Sequence, residues 1–288
     1  MNELSITQCG SLEFRWGERT YVMGIINLSP DSFSGDGIAG IEAVVAQAQR
    51  FVSEGADILD VGGESTRPGA PPISIDEEIK RVVPAIELLA SLVSIPISID
   101  SYKSEVAHRA LDAGAAMIND QWGLKRDPGL AELAAERNVP IILMSNQRDK
   151  ARYDTEIRRD VASYSDVIAE VTLSLRHSME LALRLGVPRE NIIVDPGIGF
   201  GKSWQQELEI IRRLNELKRL GRAILVGPSR KSFIGLVLDL PVNERIEGTA
   251  AAIAISIAKG ADIVRVHDVR EMVKVCRMSD AIVREFKS

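Results

Sequence analysis

Acidic and amide side chains stand at the ends of several apolar runs in this sequence. Asp100, Asn119 and Asp195 occur in the segments IPISID, AAMIND and NIIVDP. Carboxylates and carboxamides suit a flat heterocycle with amine-type donors, such as a 2-amino-4-oxo pterin or a guanine edge. Asp195 could accept two N–H bonds from such an edge in a charge-assisted contact. The three residues predict a heterocycle site, with helix N-capping as the alternative for each one taken singly.

A second group contains cations and hydrogen-bond donors, which suit an anionic ligand such as a phosphate. Its members are Thr66, Arg67, Ser229, Lys231, Arg265 and His267. Arg265 and His267 are two positions apart, so both side chains point the same way along a strand. In the stretch ADILDVGGESTRPGA, the paired glycines let the backbone turn, and Ser65, Thr66 and Arg67 then form an anion-binding loop.

Short apolar runs and helical segments alternate along the chain and must position these groups. The runs lie at 21–26, 56–61, 95–100, 115–120, 139–144, 191–196, 223–228 and 261–266. Each run is continuous, as in parallel strands covered by helices on their outer side. The helix candidates are 40–54, 75–92, 103–113, 155–185, 204–220, 244–259 and 269–286. The alternation predicts a (β/α)₈ TIM barrel with the polar residues at its mouth, whereas a doubly wound sheet needs fewer strands.

The first twenty residues precede the barrel pattern and have their own prediction. The segment SLEFRWGERTY, with a turn at Gly17, reads as a short N-terminal β-hairpin that could close the bottom of the barrel. No linker-like or low-complexity stretch divides the chain. We therefore predict a single domain over residues 1–288.

Composition and charge exclude several classes of protein. The formal net charge of -6 argues against a sequence-independent nucleic-acid binder. Cys9 and Cys276 match no metal-binding spacing and are too few for a disulfide framework, so we expect reduced thiols. The N-terminal segment lacks the profile of a signal peptide, and no apolar stretch is long enough to span a bilayer. A cytoplasmic protein with no membrane partner is expected.

The motifs INLSPDSFS, DVGGESTRPGA, ISIDSYKSEVAHRALDAGAAMIND, DPGIGFGK, GPSRKSFIG and IVRVHDV closely resemble the dihydropteroate synthase family of pterin-binding TIM barrels. The resemblance covers about residues 20–270. It implies an enzyme of folate biosynthesis, a transferase that joins 6-hydroxymethyl-7,8-dihydropterin diphosphate to 4-aminobenzoate and releases pyrophosphate. The implied reaction is dissociative: the C–O bond breaks first and the arylamine traps the pterin methylene cation.

The resemblance also assigns roles to residues by position. It implies pterin binding by Asp100, Asn119, Asp195 and Lys231. It implies diphosphate binding by Thr66, Arg67, Arg265 and His267, with Asn27 beside a Mg²⁺ ion that bridges to the diphosphate. Phe200, Arg67 and Ser229 are implied near the aminobenzoate. The residues expected to act in catalysis are Asp100, Asp195, Lys231, Arg265 and His267.

One departure from the family pattern concerns the pocket wall. Family members usually read LMHMQG after the fifth strand, whereas this chain reads LMSNQR at 143–148. Ser145 and Asn146 replace a histidine and a methionine, and the methionine position normally contributes to the pterin pocket. The shape or affinity of that part of the pocket is therefore expected to differ.

Two other functions remain as alternatives. A methyltetrahydrofolate:corrinoid methyltransferase shares the pterin-binding barrel but has no diphosphate to bind, so it does not need ESTRPG and SRKS. A non-catalytic pterin-binding protein would be expected to lose Asn27, Arg265 or His267, and all three are present. Some family members are sulfonamide-resistance enzymes, several with an extra phenylalanine in the loop after the sixth strand. GIGFGKS has the ordinary length here, and drug-sensitive and drug-resistant forms both stay open.

The family forms dimers through outer helices near the C-terminal end. The segment 244–259 is rich in Ala and Ile, which would let another helix approach closely. A homodimer with independent active sites is expected, and packing of this segment onto the barrel alone is the alternative.

Overall fold

The computed structural model describes residues 6–10, 12–28, 37–65, 70–149, 152–154, 159–161 and 165–284. The strands are β1 (Thr7–Cys9), β2 (Leu12–Phe14), β3 (Tyr21–Asn27), β4 (Ile58–Gly62), β5 (Ile97–Asp100), β6 (Met117–Asp120), β7 (Ile141–Met144), β8 (Arg152–Asp154), β9 (Arg159–Val161), β10 (Ile192–Asp195), β11 (Ala223–Val226) and β12 (Ile263–Val266). The α-helices are α1 (Gly37–Glu54), α2 (Ile75–Leu92), α3 (Ser104–Asp112), α4 (Gly129–Arg137), α5 (Val167–Arg184), α6 (Trp204–Arg212), α7 (Ser232–Leu238), α8 (Ile246–Ala258) and α9 (Val269–Val283).

A closed barrel of parallel strands forms the centre of the molecule. Its strand order is β3-β4-β5-β6-β7-β10-β11-β12, and β12 pairs with β3 to close the ring. Each strand occupies one of the predicted apolar runs, and helices separate successive strands. The prediction of a (β/α)₈ barrel with an N-terminal hairpin is confirmed. All the barrel strands therefore end at the same rim, which is where side chains from distant segments can meet.

Alternation along each strand divides the barrel interior into an apolar floor and a polar mouth. Met23, Ile58, Met117, Ile193 and Ile263 belong to one buried apolar cluster inside the barrel. Side chains two positions later in a strand point to the same side. The residue two positions after Ile58 is Asp60, after Met117 it is Asn119, after Ile193 it is Asp195 and after Ile263 it is Arg265. The strand geometry alone therefore directs these polar groups into the mouth.

The N-terminal hairpin closes the opposite end of the barrel. Phe14 of β2 is buried in the interior cluster and stacks on Trp16 at 5.4 Å between ring centroids. Phe14 also meets Tyr21 edge to face at 4.8 Å. The hairpin turns at Gly10, where φ is +58°, so its first strand lies earlier in the chain than the predicted segment SLEFRWGERTY. Gly17 does lie in a turn, as predicted, but that turn leads from β2 into β3.

Two helix predictions need correction, and two helices need to be added. The segment 155–185 is helical only from Val167, because the Asp166 side chain caps the helix by accepting from the N–H groups of Ile168 and Ala169. Two short antiparallel strands, β8 and β9, precede it. The segment 204–220 is α-helical to residue 212 and continues as 3₁₀ helix at Leu214–Leu220. The helices α4 and α7 were missing from the predicted set.

The two cysteines are both buried and unpaired, as the sequence predicts. Burial raises the pKa of each thiol to about 12, so neither is a reactive thiolate at neutral pH. Within the described residues, every helix is too short or too polar to cross a lipid bilayer.

Candidate active site

The ends of four neighbouring strands stand at one level around the mouth. Asn27 pairs with Gly62, Gly62 with Asp100, and Asp100 with Asn119 across β3, β4, β5 and β6. Gly62 lacks a side chain, and a Cβ there would lie 3.4 Å from the Asp100 carboxylate. That distance is an ordinary van der Waals contact, so the Asp100 side chain lies directly against β4 at this level. The predicted site residues of these strands are thus brought together by register.

Arg265 connects two carboxylates across the mouth. Its Nε donates to Asp60 Oδ2 at 2.6 Å and its Nη2 donates to Asp100 Oδ2 at 2.7 Å. Asn119 Nδ2 also donates to Asp60 Oδ2, at 3.1 Å. Asp60 is completely buried, so removal of its partner would leave an uncompensated charge. Sequence reasoning gave Asp60 no role, although its place two residues after an interior isoleucine indicates an inward carboxylate.

The same cluster keeps free acceptor atoms for a ligand. Within the described residues, Asp60 Oδ1 and Asp100 Oδ1 are buried and make no hydrogen bond. Burial raises the pKa of Asp100 to about 7, against the opposing effect of Arg265 and with a further increase from Asp60. Buried acceptors without partners cost free energy unless a ligand supplies donors. The cluster is therefore prepared for N–H groups of a bound molecule.

Asp195 faces the mouth from β10 on the other side. Its Oδ1 accepts from the backbone N–H of Gly197 at 2.7 Å, which fixes the carboxylate plane. Burial raises the pKa of Asp195 to about 6, while the Gly197 N–H and the charges of Lys202 and Lys231 act in the opposite direction. The carboxylate is ionised at neutral pH and is oriented for a charge-assisted contact.

Lys202 holds the glycine-rich loop that follows Asp195. Its Nζ is buried and donates to the backbone oxygens of Ser145, Gly197 and Phe200 at 2.9, 2.9 and 3.2 Å. Burial lowers the pKa of Lys202 to about 7. Gly197 has φ of +72° and a Cβ there would lie 2.4 Å from Ser145 O, so only glycine fits this close approach. Sequence reasoning missed Lys202, because its burial depends on the packing of two separate loops.

Phe200 and Lys231 meet at the edge of this loop. Lys231 Nζ lies 4.5 Å from the centre of the Phe200 ring, and the Cζ of Arg148 lies 4.4 Å from it. Burial lowers the pKa of Lys231 to about 8, with further decreases from Arg265 and Arg148. The lysine is charged at neutral pH and adjoins an aromatic wall.

Ser229 and His267 form a pair on the neighbouring strand ends. The Ser229 hydroxyl oxygen accepts from the backbone N–H of His267 at 3.2 Å and lies 3.0 Å from its Nδ1. The pKa of His267 is lowered by desolvation and by the charges of Arg265, Arg230 and Lys231, so the imidazole is neutral. Donation by the serine hydroxyl to Nδ1 favours the tautomer with hydrogen on Nε2. That nitrogen is then a donor for an anionic ligand.

A strained residue orders the segment between Ser229 and Lys231. Arg230 has φ of +56°, a left-handed conformation that is unfavourable for a residue with a side chain. Its guanidinium pairs with the carboxylate of Asp268, and its backbone N–H donates to Thr249 Oγ1 at 3.1 Å. These contacts stabilise the turn that presents Ser229 and Lys231 to the mouth.

Ser145 and Asn146, which differ from the family pattern, are hydrogen-bonded in a buried polar network. Ser145 Oγ accepts from Gln147 Nε2 at 3.0 Å. Asn146 Nδ2 donates to Gln121 O at 3.0 Å, and its Oδ1 accepts from the Arg148 N–H at 3.0 Å. Both side chains are buried. In this chain Asn146 connects the loops after β6 and β7, whereas the Ser145 side chain is bonded within the loop after β7. The effect on pterin affinity remains a prediction.

The residues predicted for the site and those found in it thus fall into three groups. Those that the structure brings to the mouth are Asn27, Asp100, Asn119, Asp195, Phe200, Ser229, Lys231, Arg265 and His267. Thr66 and Arg67 lie outside the described residues. Asp60, Lys202 and Arg148 belong to the same site, although the sequence analysis assigned none of them a role.

The structure is thus a parallel barrel with an acidic and amide cluster at its mouth, beside a basic group. The model of the pterin binding enzyme family matches residues 23–267, and the chain belongs to that family. A dihydropteroate synthase of Clostridium beijerinckii is 50% identical over 277 residues, which are 96% of this chain and 98% of the relative. Within the family, the chain is a member of the dihydropteroate synthases.

Solved structures agree with this placement. A dihydropteroate synthase from Clostridium difficile, crystallised in the presence of pteroic acid, superposes with a TM-score of 0.87 at 46% identity. The superposition covers 94% of this chain and 100% of that one. The enzyme from Xanthomonas albilineans with 4-aminobenzoic acid gives a TM-score of 0.87 at 37% identity, covering 97% and 98% of the two chains.

Proposed function

We propose that this protein condenses 6-hydroxymethyl-7,8-dihydropterin diphosphate with 4-aminobenzoate to form 7,8-dihydropteroate and pyrophosphate. The observation that carries the proposal is the junction at the barrel mouth. There, buried acceptors of Asp60, Asp100 and Asp195 stand beside the cations Arg265 and Lys231. One part suits the N–H edge of a pterin, and the other suits its anionic substituent.

The acidic side of the site would bind and stabilise the pterin. Asp195, fixed by Gly197 N–H, has its second carboxylate oxygen available for the amino edge of the heterocycle. Asn119 and Asp100 offer further acceptors from the opposite wall. Breaking the C–O bond leaves positive charge on the pterin methylene group. Ionised carboxylates placed beforehand around the ring would stabilise that charge in the transition state.

The basic side would hold the diphosphate as it leaves. Arg265 keeps a fixed orientation because two carboxylates hold it, and its charge is retained at all relevant pH values. His267 would donate from Nε2 while it is neutral, and an approaching diphosphate would favour its protonation. Developing negative charge on the leaving oxygens is thereby compensated.

The arylamine would attack from the side of Phe200. Phe200, Ser229 and Lys231 form an aromatic and polar wall beside the pterin position. After the C–O bond to the diphosphate has broken, the arylamine nitrogen would form a bond to the methylene carbon, and its proton would pass to the released pyrophosphate or to water. Holding both reactants side by side would lower the entropic part of the barrier to the reaction.

The donor set fits a Mg²⁺ ion that enters with the diphosphate. Within the described residues, no three histidine, cysteine or acidic side chains gather to hold a metal ion by themselves. Mg²⁺ commonly takes one or two protein oxygens together with substrate phosphates. Asn27, at the end of β3 on the level of Asp100, would supply such an oxygen. The ion would neutralise charge on the leaving diphosphate.

Product analysis tests the proposal directly. The purified protein is incubated with pterin diphosphate and 4-aminobenzoate, with Mg²⁺ or with EDTA, and dihydropteroate and pyrophosphate are measured. We expect both products in equal amounts with Mg²⁺ and a large loss with EDTA. Pterin binding without either product would refute the synthase assignment and favour a pterin-binding protein.

Exposed apolar side chains support a homodimer. They are Leu236, Val237 and Leu238 on α7, Val242 after it, Ile255 on α8, and Met278, Ile282 and Val283 on α9. α8 itself buries Ala252, Ile253 and Ile257 against its neighbours, so part of its apolar surface is already used inside one chain. A patch of this kind suits a second copy of the chain.

Light scattering would measure the dimer. We expect twice the chain mass of 31.5 kDa at micromolar concentration and hyperbolic kinetics for both substrates. Ile282→Glu, at a side chain that is 71% exposed, should shift the mass towards the monomer without loss of folding. A monomer mass for the unmodified protein would refute the dimer, and sigmoidal kinetics would refute independent sites.

A further inference from the structure

Two cations pack on the ring of Phe200, and one of them has no role in the reaction described above. The Arg148 Cζ lies 4.4 Å from the ring centre, at nearly the same distance as Lys231 Nζ at 4.5 Å. Phe200 is only 8% exposed, so the ring is enclosed by its neighbours. Arg148 stands at the position of the final glycine in the LMHMQG pattern, where the family pattern has no side chain.

The backbone of Arg148 is fixed by the loop after β7. Its N–H donates to Asn146 Oδ1 at 3.0 Å, and the Asn146 amide in turn donates to Gln121 O at 3.0 Å. Lys125 Nζ also donates to the backbone oxygen of Asn146. The guanidinium Nη2 lies 3.5 Å from Gly199 O, on the loop that carries Phe200. The side chain therefore reaches from one anchored loop to another.

Arg148 also adds positive charge to this part of the site. Its charge is among the causes that lower the pKa of Lys231, after burial and Arg265. It acts in the same direction on the pKa of Lys202. The effect on two lysines places the guanidinium charge within electrostatic reach of the Phe200 wall. An anionic group bound at that wall would interact favourably with both Lys231 and Arg148.

We propose that Arg148 is a specificity-determining residue for the arylamine substrate, which favours arylamines with an anionic substituent over neutral ones. The inference rests on the proposed function, because it takes the Phe200 wall as the arylamine subsite. Arg148 packs on Phe200 and contributes its charge there. The residues proposed to hold the pterin, Asp100, Asn119 and Asp195, stand at the ends of β5, β6 and β10. Its removal should therefore change recognition of the arylamine and leave that of the pterin unchanged.

The test compares 4-aminobenzoate with its neutral analogue 4-aminobenzamide in Arg148→Gln. We expect kcat/KM for 4-aminobenzoate to fall about fivefold, mainly through KM, while the value for the amide changes less than about twofold. Arg148→Lys should retain most of the preference because it keeps the charge. Arg50→Gln is the matched control, since Arg50 lies 5.4 Å from the Phe51 ring on α1, outside the mouth.

The outcomes separate the inference from the proposed function. Equal losses for both arylamines, or an increased KM for the pterin diphosphate, would show a structural role and overturn the specificity proposal. An unchanged ratio in Arg148→Gln would overturn it as well. Absence of dihydropteroate with the unmodified protein would instead refute the proposed function. In that case, equilibrium binding of 4-aminobenzoate to the unmodified protein and to Arg148→Gln still reports whether Arg148 recognises the carboxylate.

Discussion

Replacing Asp195 by asparagine should weaken the binding of the pterin diphosphate and, at pH 8, increase the folding stability. The side chain keeps its size, and its oxygen can still accept from the Gly197 N–H, which lies 2.7 Å from Oδ1. The other arm of the side chain changes from a charged acceptor to an N–H donor. A pterin edge that presents N–H groups would then meet a donor instead of an acceptor.

The loss of affinity follows from the type of contact that is removed. Truncating one partner of a buried, charged hydrogen-bonded pair costs about 2–4 kcal/mol. This corresponds to an increase of about 30- to 1,000-fold in the Kd for the pterin diphosphate. Because the pKa of Asp195 is about 6 in the free protein, the unmodified protein should itself lose affinity as the pH falls below that value. Asp195→Asn should not show this loss of affinity at acidic pH, because the asparagine does not titrate.

Stability should change with the opposite sign. The folded-state pKa of Asp195, about 6, lies above the value of about 3.9 for an unfolded chain, so its ionised form is disfavoured by folding. The stability contribution of this group is present below about pH 4 and is lost as the pH rises through about 6. Asp195→Asn should therefore be more stable than the unmodified protein at pH 8, by up to about 3 kcal/mol. The difference should vanish near pH 4.

Calorimetric titration and urea denaturation at several pH values measure the two effects. Asp262→Asn is the matched control, since Asp262 is equally buried but lies at the amino end of β12, where it accepts from Lys218 Nζ and Ile224 N–H, both at 2.9 Å. That variant should lose stability and keep its pterin affinity. Unchanged affinity in folded Asp195→Asn would refute the role of this carboxylate, and lower stability at pH 8 would refute the reasoning about its burial.

Three further substitutions test other parts of the site. Lys202→Met removes the donor to three backbone oxygens, so we expect a loss of about 2–4 kcal/mol in the free energy of unfolding by urea and a higher KM for the arylamine. An unchanged urea midpoint would contradict this. Gly199→Ala places a Cβ 2.9 Å from Lys231 Cδ at φ of +86°, so kcat/KM should fall at least about tenfold, and full activity would show that Lys231 is not needed in its present position. Arg265→Lys keeps the charge but cannot contact Asp60 and Asp100 together, so kcat should fall about 100-fold in steady-state assays, whereas an effect confined to KM would argue against a transition-state role.

The barrel and much of its mouth follow from the sequence, because each parallel strand is one continuous apolar run. The apolar runs predict the strands, and the alternation of side chains within a strand then predicts which of them point into the barrel. Asn119 and Asp195 each lie two residues after an apolar side chain of the barrel interior, so they must point into the mouth. Asp60 obeys the same rule, but its place at a strand end does not by itself reveal its contact with Arg265.

Lys202 and Arg148 could not be predicted in this way. Both act through contacts between the loop after β7 and the loop after β10, and loop packing leaves no periodic pattern in the sequence. A lysine next to a glycine-rich stretch is as typical of a solvated surface as of a buried anchor. The prediction for the start of α5 was wrong for a related reason. The side chain of Asp166 caps the helix, so the helix begins only after this residue.

The most direct test of the account is product formation by the unmodified protein and by Asp195→Asn under identical conditions. With pterin diphosphate, 4-aminobenzoate and Mg²⁺, mass spectrometry should detect dihydropteroate and an equal amount of pyrophosphate from the unmodified protein. At subsaturating pterin diphosphate, Asp195→Asn should form product at least about 30-fold more slowly. Equal rates for the two proteins, or no dihydropteroate from the unmodified one, would contradict the assignment of this barrel mouth as the site of synthesis.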